Sequence, residues 1–135
     1  MKPLTREWVE KAEEDFRVAR REQGAKPAAY NAVCFHAQQC VEKYLKALLQ
    51  EHELPFYRTH DLEALMKLCL PMTPELEQYR EPLQWLTVFA VETRYPGIKA
   101  KRKDAERCCQ IATSLRTLIR RRLGLTGRRP SKGKA

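Results

Sequence analysis

The 135-residue chain carries 26 Lys/Arg against 17 Asp/Glu, a formal net charge of +9. That length is one domain, enough for a single core of four or five helices and too short for two cores. No apolar run approaches the roughly 20 residues of a membrane span, and the N-terminus MKPLTREWVEKAEEDF is charged where a signal peptide would be apolar, so a soluble, cytoplasmic chain without membrane contact is expected.

The charge is unevenly placed. Residues 1–93 hold 12 Lys/Arg against 15 Asp/Glu, net −3, and residues 94–135 hold 14 against 2, net +12. A basic field so concentrated favours a polyanion or an acidic protein surface, and the other reading is a solubilising tail. Five cysteines (Cys34, Cys40, Cys69, Cys108, Cys109) without CxxC spacing indicate buried free thiols, with no disulfide framework and no metal or cofactor site.

The first helix is expected from about Thr5, as N-cap, to Glu22, with Trp8, Ala12, Phe16 and Ala19 as its apolar stripe. A turn around Gly24 follows, and Pro27 is placed to open the next helix. That second helix, Tyr30 to about Glu51, repeats apolar residues at Tyr30, Val33, Ala37, Val41, Leu45 and Leu48, while His36, Gln39, Lys43 and Lys46 fall on another face. Pro55 ends the period. A short third helix runs from His60 or Asp61 to Leu70, capped by Thr59 or Asp61. A fourth spans Pro74 to Glu92, and Pro82 is expected to kink or split it at the loss of one hydrogen bond. After the loop Arg94-Tyr95-Pro96-Gly97, a last helix runs from Lys103 to Leu123, where Gly124 stops it.

These elements predict an all-α, up-and-down bundle of four to five helices over residues 1–123, with residues 124–135 as a basic disordered tail. Small residues Ala37, Cys40, Ala105, Cys108 and Ala112 would let the second and last helices approach closely if they are neighbours.

The order of Trp8, Ala12, Asp15, Phe16 and Ala19, then FHAQQCVEKYLKALL at 35–49, THDL at 59–62 and RYPG at 94–97 resembles the HEPN domain family over about residues 5–121. The resemblance implies a helical bundle similar to the substrate-binding domain of kanamycin nucleotidyltransferase, commonly a homodimer. It also implies one of two roles. Some members are metal-independent ribonuclease toxins with an Arg followed four to six residues later by a His. That motif is absent, because one residue separates Arg58 from His60 and no Arg stands at that distance before His36 or His52. Other members are non-catalytic partners of a minimal nucleotidyltransferase in toxin–antitoxin-like pairs, which bind a nucleotide such as ATP or GTP, and this class fits the chain better.

Three clusters are candidates for nucleotide or phosphate binding. His36, Gln39, Lys43 and Lys46 offer two ammonium groups and two base- or ribose-reading groups, or else form structural pairs such as Glu42 with Lys46. Arg58 and His60 stand at a helix N-terminus that can hold an anion or simply be capped. Arg94 and Tyr95 can clamp phosphate and stack on a base, or close the helix end. No catalytic residue is assigned. If the chain is a ribonuclease, His36 or His60 acts with Arg94. The C-terminal arginines, with Arg116 and Arg120 one turn apart, suit non-specific RNA contact.

Overall fold

In a computed structural model, described over residues 1–125, the chain forms α1 (Pro3–Gln23), α2 (Tyr30–Glu51), α3 (Leu62–Cys69), α4 (Arg80–Glu92) and α5 (Arg102–Arg122), with a 3-10 turn at Pro74–Tyr79 before α4. No strand occurs among the described residues. The basic tail lies outside them from residue 126 on.

α2 is the axis. It packs against all four other helices, most extensively α1 and then α5. Thirteen of its 22 residues are buried, so its apolar surface wraps around the helix instead of forming one stripe. Backbone N–H groups of Lys2 and Ala29 reach Glu51 and Glu22 at opposite ends of the α1–α2 pair, at 3.0 and 2.8 Å, which fixes the two helices antiparallel over their whole length. α5 runs parallel to α2: its start is tied to Asn31, whose Oδ1 accepts from Ala100 N–H at 2.8 Å, and Arg120 near its end reaches Tyr44. α2 and α5 are therefore neighbours, and the small residues Ala37, Cys40, Ala105, Cys108 and Ala112 all lie in the buried core. All five cysteines are free and buried.

Several boundaries differ from the sequence expectation for local reasons. α1 begins at Pro3, a first-turn proline, so Thr5 is buried within the helix and does not cap it. Its inward face is Thr5, Val9, Ala12, Asp15 and Ala19, while Trp8 and Phe16 pack at the margin. Pro27 does not open α2. It follows a cis peptide bond in the loop, and α2 starts three residues later at Tyr30. The segment around Pro82 is divided, but not at the proline. The 3-10 turn gives way to α4 at Arg80, which puts Pro82 third in the new helix, where backbone N–H groups have no intrahelical partner and the expected hydrogen bond is not lost.

The ends of α2 and α5 share one solution. At α5, Gly124 at φ 81° lets its own N–H reach the Arg121 carbonyl (3.1 Å) and Leu125 N–H reach that of Arg120 (2.7 Å). At α2 the same pair of bonds runs from Glu53 to Gln50 (3.1 Å) and from Leu54 to Leu49 (3.0 Å), with Glu53 itself at φ 55°. α3 is capped by Asp61, whose Oδ1 accepts from Glu63 and Ala64 N–H at 3.0 and 3.2 Å.

Candidate functional site

The polar row on α2 is organised by carboxylates that face it. Asp15 occupies an apolar register position on α1 and is buried there, which requires a partner. It takes two: His36 Nδ1 at 2.8 Å and Lys43 Nζ at 2.6 Å. One turn further on, buried Glu42 accepts from Lys46 Nζ (2.8 Å), Gln38 Nε2 (3.2 Å) and His60 Nδ1 (2.9 Å). Gln39 donates to Gln38 Oε1 at 2.8 Å, which joins it to the Glu42 group, and Gln38 also reaches the His60 carbonyl at 3.4 Å. Lys46 lies over the Trp8 ring, 5.5 Å from its centroid. Burial raises the Glu42 carboxyl, but the hydrogen bonds and charges of Lys46 and His60 outweigh it and hold the group below the usual carboxylate range.

The stripe His36, Gln39, Lys43, Lys46 is thus a line of paired side chains, and both ammonium groups already have carboxylate partners. In both histidines the carboxylate takes Nδ1, which leaves Nε2 as the outer nitrogen. His60 is the more open, with 69% of its side chain exposed against 29% for His36. Arg58 is exposed beside it.

The loop after α4 does come back to α2. The Arg94 guanidinium stacks on Phe35, 4.6 Å from the ring centroid, and Phe35 meets the His36 ring edge-on at 5.1 Å. Tyr95 does not plug the helix end; it is 65% exposed. With Val88 and Val91, also exposed, it forms an apolar strip, since positions 88, 91 and 95 share one side of a helical path; Ile98, in the loop beyond, is exposed as well. Arg116 and Arg120 turn inward and do not track along the surface. Arg116 grips Glu13 with two bonds, Nε to Oε2 at 2.6 Å and Nη2 to Oε1 at 2.9 Å. Arg120 donates to the Tyr44 hydroxyl at 3.2 Å, and that hydroxyl donates to Glu13. Burial raises the Glu13 carboxyl, but the Arg116 and Tyr44 bonds win and hold it low; burial and the Glu13 bond push the Tyr44 phenol well up.

The model of the HEPN domain matches residues 5–122, nearly the whole described bundle. The chain belongs to the HEPN domain family. A crystal structure titled TT1696, from Thermus thermophilus, has the same fold: TM-score 0.70, with 22% identity, 87% of this chain and 97% of that chain covered. Comparison with curated protein sequences gives no match. Within this HEPN bundle no helix of the described residues is long and apolar enough to cross a membrane, and no group of three or more His, Cys, Asp or Glu among them is placed to hold a metal ion.

Asp15, Glu42, Glu13, Tyr44 and Phe35 were not among the sequence candidates, yet they position those that were. The signal for Asp15 was present: it sits three residues from Ala12 and four from Ala19, in the apolar register. Arg116 and Arg120 give the same signal beside Ala112, Leu115 and Ile119. A charge in an apolar register predicts a partner, although sequence does not say which one.

Proposed function

We propose that this HEPN protein is a non-catalytic interaction module that partners a minimal nucleotidyltransferase in a toxin–antitoxin-like pair. The observation that carries the reading is the exposed apolar strip Val88, Val91 and Tyr95 on α4 and the loop that follows it, because large apolar side chains grouped on one face of a bundle mark a surface that another protein covers. The paired state of Lys43 and Lys46 supports the same reading, since those cations stabilise the bundle and are not held open for a phosphate. Of the nucleotide candidates, Arg58, His60, Arg94 and Tyr95 keep exposed surface and lie on loops, so a nucleotide presented to the partner enzyme would be met there. Homodimerisation through the strip is the competing use of the same face.

Light scattering after size exclusion tests this with the chain alone, with a nucleotidyltransferase encoded beside it, and with the Val88→Asp/Val91→Asp variant. A complex with the enzyme that the variant loses is the expected result. No complex, or one that the variant leaves intact, refutes it. A dimer of the chain alone that blocks the enzyme assigns the strip to self-association.

A second reading has its own observation. His36 held by Asp15, with Arg94 brought close through Phe35, is an oriented base near a cation, which suits metal-independent ribonuclease chemistry. Against it, His60 is oriented by a different carboxylate, and among the described residues Asp15 alone of the acids bonds His36. Incubation with tRNA separates the readings: cleavage lost in both His36→Ala and Arg94→Ala would establish the enzyme, and intact tRNA would exclude it.

A further inference from the structure

One charged surface is used by neither reading. Between the second half of α1 and α5 lies a depression of about 620 Å³ lined by Glu13, Phe16, Arg17, Arg20, Arg21 and Arg116. The α1 residues collect there because 13, 16, 17, 20 and 21 recur at steps of three and four, on the side that turns from α2 toward α5. Four guanidinium groups thus face one carboxylate. That carboxylate, Glu13, is fully engaged by Arg116 and Tyr44. Arg17, Arg20 and Arg21 are exposed and make no ion pair among the described residues. The α1 C-terminal dipole favours cations at Arg20 and Arg21, but Arg17 lies a turn earlier, beyond most of that effect. Three like charges within about one turn repel one another unless an anion lies among them.

The adjoining depression, about 560 Å³, shares Arg20 and is lined also by Gln23, Glu106, Cys109, Gln110, Thr113 and Ser114. It extends the basic end with polar groups and one carboxylate, Glu106, which makes no ion pair with Arg20. The chain's own tail cannot neutralise the arginines, because residues 126–135 hold four Lys/Arg and no Asp/Glu.

We propose that the α1–α5 groove is a binding site for a short phosphate chain, such as that of a polyphosphate or a nucleoside triphosphate, held by Arg17, Arg20 and Arg21. Residues 17 to 21 span only about 6 Å along the helix, so the ligand must carry several negative charges at that spacing, and adjacent phosphate groups do. Guanidinium forks match phosphate oxygens two at a time. A carboxylate-bearing peptide spreads its charges farther, about 3.3 Å per residue with alternating direction. Phe16 already carries the Arg116 and Arg20 guanidinium groups, at 4.6 and 5.7 Å from its centroid, so charge, and not a stacked base, is what the groove reads.

Titration calorimetry in phosphate-free buffer tests the site with tripolyphosphate, ATP and a hexameric acidic peptide. The variants are Arg17→Gln/Arg20→Gln/Arg21→Gln together, and Arg6→Gln as a remote charge control, each checked for helicity. The expected result is one tripolyphosphate per chain, weakened at least about 30-fold by the triple variant and unchanged by Arg6→Gln. ATP binding within about threefold of tripolyphosphate supports recognition of the phosphate chain. Three results overturn the proposal: no tripolyphosphate binding, an equal loss in Arg6→Gln, or tighter binding of the acidic peptide, which would make the groove a protein contact. None of them bears on the α4 strip, whose test is separate.

Discussion

Replacing Glu42 by leucine removes the acceptor shared by Lys46, His60 and Gln38. Glu42 and Lys46 are 3% and 7% exposed, and breaking so buried a pair by deleting one partner costs about 3–5 kcal/mol, since the remaining charge loses its compensation. The low end applies here. His60 is exposed and is rehydrated at little cost, and Lys46 is long enough to carry its ammonium past the Trp8 ring to water. The expected loss is therefore about 3 kcal/mol, a large part of the roughly 5–15 kcal/mol typical of a domain, or a fall in Tm of about 10–15 °C. Urea unfolding followed by circular dichroism measures it. The double variant Glu42→Leu/Lys46→Met should regain all but about 1 kcal/mol, because an apolar pair of similar volume replaces the ion pair. The pH dependence has a fixed sign. Because the folded carboxyl is held below its ordinary value of 4.5, its contribution is present above that value and is lost as pH falls below it toward the folded value. Wild type and Glu42→Gln should therefore converge in stability at acid pH. A loss under about 1 kcal/mol for Glu42→Leu, or a double variant no better than the single, would refute the buried-pair account.

Tyr44→Phe keeps the buried ring but removes the donor to Glu13 and the acceptor for Arg120, so it should cost about 1–2 kcal/mol by urea unfolding. In the native protein, that phenol should not ionise in an ultraviolet pH titration until the chain unfolds in base, because burial and Glu13 push it up. Gly124→Ala meets no atom within 4 Å yet must hold φ 81°, so a loss of about 1 kcal/mol is expected from backbone conformation alone. Cys109 is 6% exposed and borders the groove, while the other four cysteines are at 0%. A thiol reagent should therefore modify Cys109 first and slowly, as burial raises its thiol to about 11, and all five only after unfolding.

Much of the bundle was legible because its apolar residues keep helical period. The α2 face from Tyr30 to Leu48 and the α5 face from Ala105 to Ile119 needed only spacing, and Gly124 marked the end of α5. Prolines were less informative. Pro82 and Pro27 each signal an interruption, but only neighbouring elements decide on which residue the helix resumes, here Arg80 and Tyr30. On α1 the large rings of Trp8 and Phe16 drew the stripe to themselves, whereas close packing against α2 is made by small Thr5, Ala12 and Ala19. The polar row on α2 was legible as a row, and its Glu42–Lys46 pair one turn apart was legible too and is formed at 2.8 Å, but its pairs beyond the helix were not. Asp15, which holds His36 and Lys43, and His60, which joins Lys46 on Glu42, come from elsewhere in the chain, and periodicity within one helix carries no information about them.

The same pairing changes what the net charge means. Counted along the sequence, the last third of the chain is a basic block, but in the fold much of it is spent internally. Arg116 and Arg120 close on Glu13 and Tyr44, Arg122 on Glu75, and Arg107 lies 4.0 Å from the centroid of the Trp85 ring. Acidic residues of α1 likewise cancel cations of α2 and α5, as Asp15 does for Lys43 and Glu13 for Arg116. What remains open to an anion within the described bundle is the exposed Lys101, Arg102, Lys103 and Arg121 of α5 and its approach, and the arginines at 17, 20 and 21 of α1, of which only the α1 set lines one depression together. A polyanion drawn to this protein by its net charge should come to rest on the helix whose first half is the most acidic stretch of the chain.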